Sequence, residues 1–451
     1  MMSLSCWRSR FALGMVAAVM LAFAAQSAEI PRGRVLEKVV CAADANQTYA
    51  LYVPTNFDPT KRWPVLFCFD PGARGKAPVE RFQAAAEKFG YIVAGSNNSR
   101  NGPWEANTAA INAMFSDVQR YFPLQPKRIY VAGLSGGARV ACQIAVSGVA
   151  QGVIACSAGF PGSEAPSKVP FAFFGTAGVT DFNFLELRRV DRELEDRRAV
   201  HRVVIFPGGH EWLPADLAAE ALAWLNLQAM RTGTLAKDAT WIEQQLAERR
   251  AHVPESVGER YLALKSIASD FRGLADLSGL EKTVKELEAS REVRDWLKSQ
   301  RASEQKERSL SDNLVSAIQE GFVGEVRKSA LDLRARADVP EDTPERRMAR
   351  RVLQGASSSA GEGAREAMRL QDYAMAATLL EMATVLRPER AQTWFELARA
   401  RANLRDRKGT IAALEKAAAA GFKDVGRLEG EKPFDSLRRD PAFAAAVAAM
   451  K

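Results

Sequence analysis

The chain has 451 residues, of which 47% are hydrophobic and 26% are charged, and its formal net charge is +8. A chain of this length is too long for a single ordinary hydrophobic core, so we expect two or three domains. The composition is that of a soluble globular protein. The basic excess is modest and evenly spread. This argues against a nucleic-acid-binding region, in which basic residues would be concentrated.

The amino terminus predicts a secretory signal over residues 1–28. Residues 1–10 carry two arginines and no acidic residue, 11–25 form an apolar run, and small residues follow. These three parts are typical of a signal peptide, so the protein is expected in the periplasm or outside the cell. A retained anchor is the alternative, but the run is shorter than the roughly 20 residues that cross a bilayer. We therefore expect no stable membrane anchor.

Between residues 29 and 232, short apolar runs alternate with amphipathic stretches. Strands are predicted at 49–54, 64–69, 91–94, 128–132, 152–157, 171–174 and 202–206, and helices at 79–89, 108–122, 138–146, 184–198 and 214–230. Strands that alternate with helices indicate parallel βαβ units. The sequence therefore predicts an α/β domain with a doubly wound, mostly parallel sheet.

After residue 232 the sequence predicts helices alone, with helical spacing at 235–251, 257–271 and 280–300. We expect a helical region over 233–354 and an all-α, repeat-like region over 355–451. The glycine- and serine-rich stretch from Gly355 to Gly363 predicts a linker or loop between them.

The carboxyl-terminal region carries an internal repeat with a period of 34 residues. Trp394, Leu397 and Ala398 stand where a tetratricopeptide repeat has its large, large and small residues, and the segment resembles that family, with copies near 357–390 and 391–424. A generic helical bundle is the alternative. The resemblance implies a concave surface, so a protein partner is expected there.

The segment Gly133-Leu134-Ser135-Gly136-Gly137 directly follows a predicted strand and directly precedes a predicted helix. A serine on such a tight turn needs neighbours with almost no side chain, and its hydroxyl then lies at a helix amino terminus. The motif predicts that Ser135 is a nucleophile and that the Gly136 N–H stabilises an oxyanion. A structural glycine-rich turn is the alternative.

A serine nucleophile needs a base, usually a histidine, and the chain has only three. His252 lies beyond the α/β domain, and His201 lies at the entrance of a strand. His210 instead follows the strand 202–206 on a glycine-rich loop, at the strand's carboxyl end, where catalytic groups of open α/β sheets gather. His210 is therefore the predicted base.

The acid that orients this histidine should lie between Ser135 and His210 in the sequence. Asp181 follows the predicted strand 171–174 through a short loop at the same sheet edge, and its carboxylate would fix the imidazole tautomer. The rivals are Glu164, one strand earlier, and Asp191, on the following helix. We expect Asp181 to be the third member.

The order Ser135, Asp181, His210, each after its own strand, resembles the α/β-hydrolase fold over about residues 35–230. The late histidine is similar to the carboxylesterase, dienelactone-hydrolase and polyhydroxybutyrate-depolymerase-like branches. In that family the loop after the third strand supplies a second oxyanion N–H, often through a histidine–glycine pair. Here Asp70-Pro71 stands in place of the histidine, so the resemblance implies that Gly72 or Ala73 donates.

Specificity is expected from the polar loop of residues 96–104, after a strand on the same edge. Its amides, arginine and tryptophan would suit a polar or sugar-bearing acyl group, although a turn-rich connector fits equally. Trp212, just past His210, either walls the pocket or packs in the core. The predicted substrate-binding residues are Asn97, Asn98, Arg100, Trp104 and Trp212.

These residues favour a carboxylic-ester hydrolase that acts through an acyl-enzyme on a small-molecule or polymer ester. The alternatives are a serine peptidase on the same fold and an inactive scaffold that binds a protein through its helical tail. Neither clustered zinc ligands nor a phosphate-binding loop is present, so we expect no cofactor and no metal. The four cysteines of the mature chain are expected to be buried free thiols, although an exported protein permits disulfides.

Overall fold

The computed structural model describes residues 30–162 and 164–450, so the predicted signal sequence lies outside the described residues. Two compact units are formed: one by residues 30–179 and 183–298, the other by residues 180–182 and 299–450. The predicted domain boundaries at 232 and 354 stay predictions.

The first unit contains an eight-stranded sheet in the order β1-β2-β4-β3-β5-β6-β7-β8. β2 pairs antiparallel with β1 and β4, and every other pairing is parallel. The predicted doubly wound, mostly parallel sheet is thus confirmed. The strands are β1 Val35–Cys41, β2 Asp44–Tyr52, β3 Trp63–Phe69, β4 Ile92–Ser96, β5 Leu124–Leu134, β6 Gly152–Cys156, β7 Ala172–Gly178 and β8 His201–Phe206.

Helices cover both faces of the sheet, because alternate residues of each buried strand are apolar on both sides. Phe67 of β3 packs into the cluster on one face, and Leu66 and Cys68 pack into the cluster on the other. The covering helices are α1 Lys76–Phe89, α2 Trp104–Tyr121, α3 Gly136–Val146, α4 Phe184–Asp196 and α5 Ala215–Arg231. α2, α3 and α4 contribute to the first cluster, and α1 and α5 contribute to the second.

Three further helices belong to the first unit: α6 Ala239–Ala251, α7 Val257–Asp270 and α8 Ser278–Ala289. Their apolar side chains pack together with the end of α5 in one hydrophobic cluster. Asp270 adds polar contacts, because it accepts hydrogen bonds from the Trp224 indole at 2.6 Å and from Arg249 at 3.0 Å. The predicted helix over 280–300 is broken at Ser290, where α8 ends.

The second unit is helical in the part of the chain that the structure describes. Its elements are α9 Arg291–Gln319, which begins in the first unit, α10 Val323–Ala337, α11 Pro344–Arg369, α12 Tyr373–Leu386, α13 Ala391–Asn403, α14 Arg407–Ala419, α15 Val425–Gly430, a 3₁₀ helix Lys432–Leu437 and α16 Pro441–Ala448. The expected linker from Gly355 to Gly363 is wrong, because these residues lie inside α11. Small side chains there, including Ala356 and Ala360, are buried in the unit's core. Their composition reflects close helix packing, and the repeat character of the unit remains a prediction.

Within residues 30–162 and 164–450, no helix combines the length and the apolar character needed to cross a bilayer. Cys41, Cys68 and Cys142 are free and buried, and Cys156 is buried as well. Burial raises the pKa of the Cys41 thiol to about 11, with Asp117 and Asp44 adding to the effect.

Candidate active site

Ser135 lies on the turn between β5 and α3 with φ 54° and ψ −119°, a left-handed backbone conformation that few residues with a side chain adopt. The glycines around it allow close backbone contact. A Cβ on Gly133 would lie 2.0 Å from the Gly137 carbonyl oxygen, and one on Gly137 would lie 2.0 Å from the Phe69 carbonyl oxygen. The Ser135 N–H donates to Cys156 O at 2.8 Å, which fixes this turn to the end of β6.

The turn also begins a helix, and this orients backbone N–H groups. The Ser135 carbonyl accepts from the N–H groups of Ala138 and Arg139 at 2.9 and 3.2 Å. The first N–H groups of a helix have no partner inside it, so Gly136, the first residue of α3, presents its N–H beside the serine.

The loop after β3 is organised by the carboxylate of Asp70, which is fully buried. Asp70 Oδ1 accepts from the Gly72 N–H at 2.8 Å, and the Asp70 carbonyl accepts from the Ala73 N–H at 3.1 Å. Ala73 takes φ 59° to close this turn. Both N–H groups predicted as second oxyanion donors are therefore already bonded inside the loop.

Asp70 also connects this loop to the one that carries His210. Its Oδ2 accepts from the indole N–H of Trp212 at 2.9 Å, and Arg74 donates to both carboxylate oxygens at 2.8 and 3.0 Å. The hydrogen bond with Asp70 and its charge raise the pKa of Arg74. Trp212 is buried and packs edge-on against Phe82. It therefore acts in the core of the site as an anchor for the His210 loop.

His210 lies on the half-exposed loop after β8, and Asp181 lies, fully buried, just after β7. The two strands are neighbours, and their ends stay close because the Val179 N–H donates to Phe206 O at 2.9 Å. The Ser157 hydroxyl, at the end of β6, donates to the carbonyl of Glu211 at 3.3 Å. The carboxyl ends of the parallel strands β5 and β8 lie at one sheet edge, and Ser135 and His210 follow them there. Asp181 belongs to the second unit, and its role as the third member stays a prediction.

The rival residues have other surroundings. Asp191 on α4 lies 3.5 Å from the Nε2 of His201, which stands at the amino end of β8, away from the edge that carries Ser135. His252 ends α6 and its ring contacts the Glu248 carbonyl at 2.7 Å. Glu164 is exposed on the loop after β6.

In the loop of residues 96–104, the amides have structural partners. Asn98 accepts from the Thr48 N–H at 2.8 Å and donates to Asn46 O at 3.0 Å. Asn97 donates to Glu37 O at 3.1 Å. These amides fasten the loop to the β1–β2 hairpin, whereas Arg100 and Trp104 are exposed.

The sequence prediction omitted one residue of this loop, Asn101. Its side chain lies directly against Gly136, since a Cβ on Gly136 would lie 1.8 Å from Asn101 Oδ1. The glycine that follows the serine was the available signal, because it leaves room for a side chain from elsewhere in the fold.

Within residues 30–162 and 164–450, no three His, Cys, Asp or Glu side chains are grouped so as to hold a metal ion. The strand order, with β2 alone reversed, and the strand–serine–helix turn give the α/β domain the α/β-hydrolase fold.

Neither family models nor curated proteins gave a match to this chain. Among solved structures, an S-formylglutathione hydrolase from Staphylococcus aureus is similar at 15% identity and a TM-score of 0.35, over 44% of this chain and 98% of that chain. A ferulic acid esterase is similar at 16% identity and 0.34, over 42% and 95%. The feruloyl esterase module from Clostridium thermocellum is similar at 12% identity and 0.34, over 40% and 82%. Likeness at this level concerns the fold alone.

Proposed function

We propose that the protein is an exported serine hydrolase that cleaves carboxylic esters through an acyl-enzyme. The observation that carries the proposal is the backbone of Ser135, which occupies a left-handed conformation on a turn between a buried strand and a helix. Such strain is retained where the surrounding structure enforces it, and in a serine nucleophile turn it would lift the hydroxyl above the sheet edge. Residues 1–28 would direct export.

In the proposed reaction, His210 takes the hydroxyl proton of Ser135 as Oγ bonds to the ester carbonyl carbon. Asp181 holds the imidazole in the required tautomer, and the Gly136 N–H donates to the oxyanion. Collapse of the tetrahedral intermediate breaks the bond to the alcohol, which leaves with the proton from His210. Water then repeats these steps on the acyl-serine and releases the acid.

The proposed substrate is an ester with a polar or sugar-bearing acyl group. Arg100 and Trp104 support this class, because both side chains are exposed on the loop 96–104. Asn101 of the same loop contacts Gly136. A guanidinium and an indole together bind polar, ring-containing groups well.

The test is hydrolysis of a panel of p-nitrophenyl acyl esters, with fluorophosphonate labelling, by the signal-free protein and its Ser135→Ala variant. We expect the variant to lose labelling and to lose about 10³-fold or more of kcat. The control is Ser147→Ala, because that exposed hydroxyl lies at the other end of α3 and bonds only to Ile144 O. Hydrolysis of casein but of no ester would favour a peptidase, and a folded wild-type protein without either activity or labelling would refute the proposal.

A second candidate function, binding of a protein partner, is favoured by a groove of about 1040 Å³ in the helical unit. Its charged lining consists of six cationic side chains and two carboxylates: Arg365, Arg369, Arg390, Arg399, Arg427, Lys432, Glu396 and Glu431. Burial and the charges of Arg387 and Arg365 lower the pKa of Arg390. An acidic peptide segment would bring negative charge to these cationic side chains, so we propose that class of ligand.

Binding of a fluorescein-labelled hexaglutamate peptide to the full chain tests this second function. Arg390→Glu should abolish binding, and Arg291→Glu, a change at an exposed arginine outside the groove, should leave it intact. Equal binding by both variants, or none by the wild type, would exclude the groove as an acidic-peptide site.

A further inference from the structure

The space above the residue that follows the candidate nucleophile is filled by a side chain from another loop. A Cβ built on Gly136 would lie 1.8 Å from Asn101 Oδ1 and 2.9 Å from Asn101 Cγ. The carboxamide of Asn101 therefore packs on the Cα of Gly136, one bond from the N–H that begins α3.

The backbone that carries Asn101 is held to the loop after β3. The Asn101 N–H donates to Pro71 O at 2.9 Å, and Gly72 pairs with Arg100 in an antiparallel bridge. The buried amide of Asn107 bonds to both the N–H and the carbonyl of Arg100, each at 3.0 Å. Asn101 is thus positioned by backbone contacts on both sides.

An oxyanion site needs at least one hydrogen-bond donor besides Gly136. The backbone N–H groups of the loop after β3 already donate hydrogen bonds inside that loop. Pro71 has no N–H, and the N–H groups of Gly72 and Ala73 both donate to Asp70. The side chain of Asn101 is exposed, so its N–H groups are accessible to a substrate.

We propose that Asn101 is a catalytic residue: its side-chain N–H donates to the oxyanion opposite the Gly136 N–H. A half-turn of the carboxamide exchanges Oδ1 and Nδ2 within the same volume, so the amide group can occupy the position that lies against Gly136. This inference rests on the proposed ester hydrolysis at Ser135. It also explains why a glycine follows the serine, since any side chain at 136 would displace Asn101.

Asn101→Ala should lower kcat about 100-fold or more, the usual cost of one oxyanion donor, while KM changes less than about twofold. Affinity for a boronic acid that forms a tetrahedral adduct with the serine should fall in parallel. Asn101→Asp should lose more, because a carboxylate repels the developing negative charge. Gly136→Ala provides a second route, because the added methyl group displaces the carboxamide and should reproduce the loss in kcat.

The matched control is Asn112→Ala, a change at an exposed asparagine on α2. Its removal should leave kcat unchanged. If the wild type hydrolyses esters and Asn101→Ala has the same kcat, the role of Asn101 is overturned while the proposed function stands. A wild-type protein that neither hydrolyses esters nor reacts with fluorophosphonate would overturn the proposed function, and with it the role of Asn101.

Discussion

Two regions of the first unit each contain a buried tryptophan that donates a hydrogen bond to a buried aspartate. Beside the candidate site, the Trp212 indole donates to Asp70 at 2.9 Å, and among the added helices the Trp224 indole donates to Asp270 at 2.6 Å. Both carboxylates are almost fully buried, at 0% and 2% exposure. A buried carboxylate is stable only with several donors, so the remaining partners distinguish the two regions.

The remaining partners of Asp70 are a backbone N–H in its own loop and Arg74, whose side chain is 64% exposed. Those of Asp270 are the Ser266 hydroxyl of its own helix at 3.4 Å and two arginines from other elements, Arg249 at 3.0 Å and Arg202 at 3.7 Å. Asp70 therefore fixes the shape of a loop, whereas Asp270 joins α5, α6, α7 and β8. A tryptophan–aspartate pair thus fixes a loop conformation in one region and holds helices and a strand together in the other.

The largest expected effect is on stability at the helix cluster. Asp270→Ala would leave Arg249 and Arg202 largely buried with less compensation, and breaking a buried ion pair in this way costs about 3–5 kcal/mol. Urea unfolding should show this loss, while kcat of the folded protein changes less than about twofold. Asp58→Ala, at a partly exposed carboxylate paired with Lys61, is the control. A loss below about 1 kcal/mol would contradict the cohesive role of Asp270.

A smaller loss of stability, now accompanied by a loss of activity, is expected at Asp70. In Asp70→Asn the amide still accepts from the Gly72 N–H, but its other end can no longer accept from the Trp212 indole. One unsatisfied buried donor costs about 1–3 kcal/mol. Displacement of the loops should lower kcat by about tenfold or more, because a shift of about 1 Å costs up to about 100-fold.

The two tryptophans supply the matched comparison for this prediction. Trp212→Phe and Trp224→Phe each remove one indole N–H from a buried carboxylate and keep an aromatic ring in place. Both should lower the free energy of unfolding by about 1.5–3 kcal/mol, the value of a hydrogen bond to a charged group. Only Trp212→Phe should lower kcat. Equal effects of the two variants on kcat would remove the distinction between the regions.

The sequence predicted most of the sheet because its central strands are buried on both faces and appear as continuous apolar runs. It missed β1, Val35–Cys41, because an edge strand with exposed charged positions lacks such a run. It also treated the small residues around Ala360 as a linker, since close helix packing and loops favour similar compositions.

At the candidate site, Ser135 was predictable because its signal is local: a serine between glycines at a strand–helix junction. The role of Asp70 and the placement of Asn101 depend on contacts between distant segments, Asp70 with Trp212 and Asn101 with Gly136. The spacing of residues along the chain does not predict such contacts. Asn97 and Asn98 hydrogen-bond to the backbone of β1 and β2, and their part in substrate binding stays a prediction.

The smallest expected effect is on stability at His201, which begins β8. It is compared with the effect at His210, which follows the carboxyl end of the same strand. Burial alone would lower the pKa of His201, but the hydrogen bond with Asp191, the Ala199 carbonyl and the charges of Asp191 and Glu195 raise it above its ordinary value. A histidine whose folded pKa is raised stabilises the protein below its unfolded pKa, about 6.5, and this stabilisation is lost as pH rises through the folded pKa.

His201→Gln should therefore destabilise the protein more at pH 5.5 than at pH 8.5, as measured by urea unfolding at both values. Its kcat for an ester should stay within about twofold of wild type at either pH, because His201 lies at the opposite end of the strand from the candidate site. His210→Gln should instead cause a large loss of kcat at both pH values. A kcat loss in His201→Gln as large as that in His210→Gln would mean that the amino end of β8 takes part in catalysis.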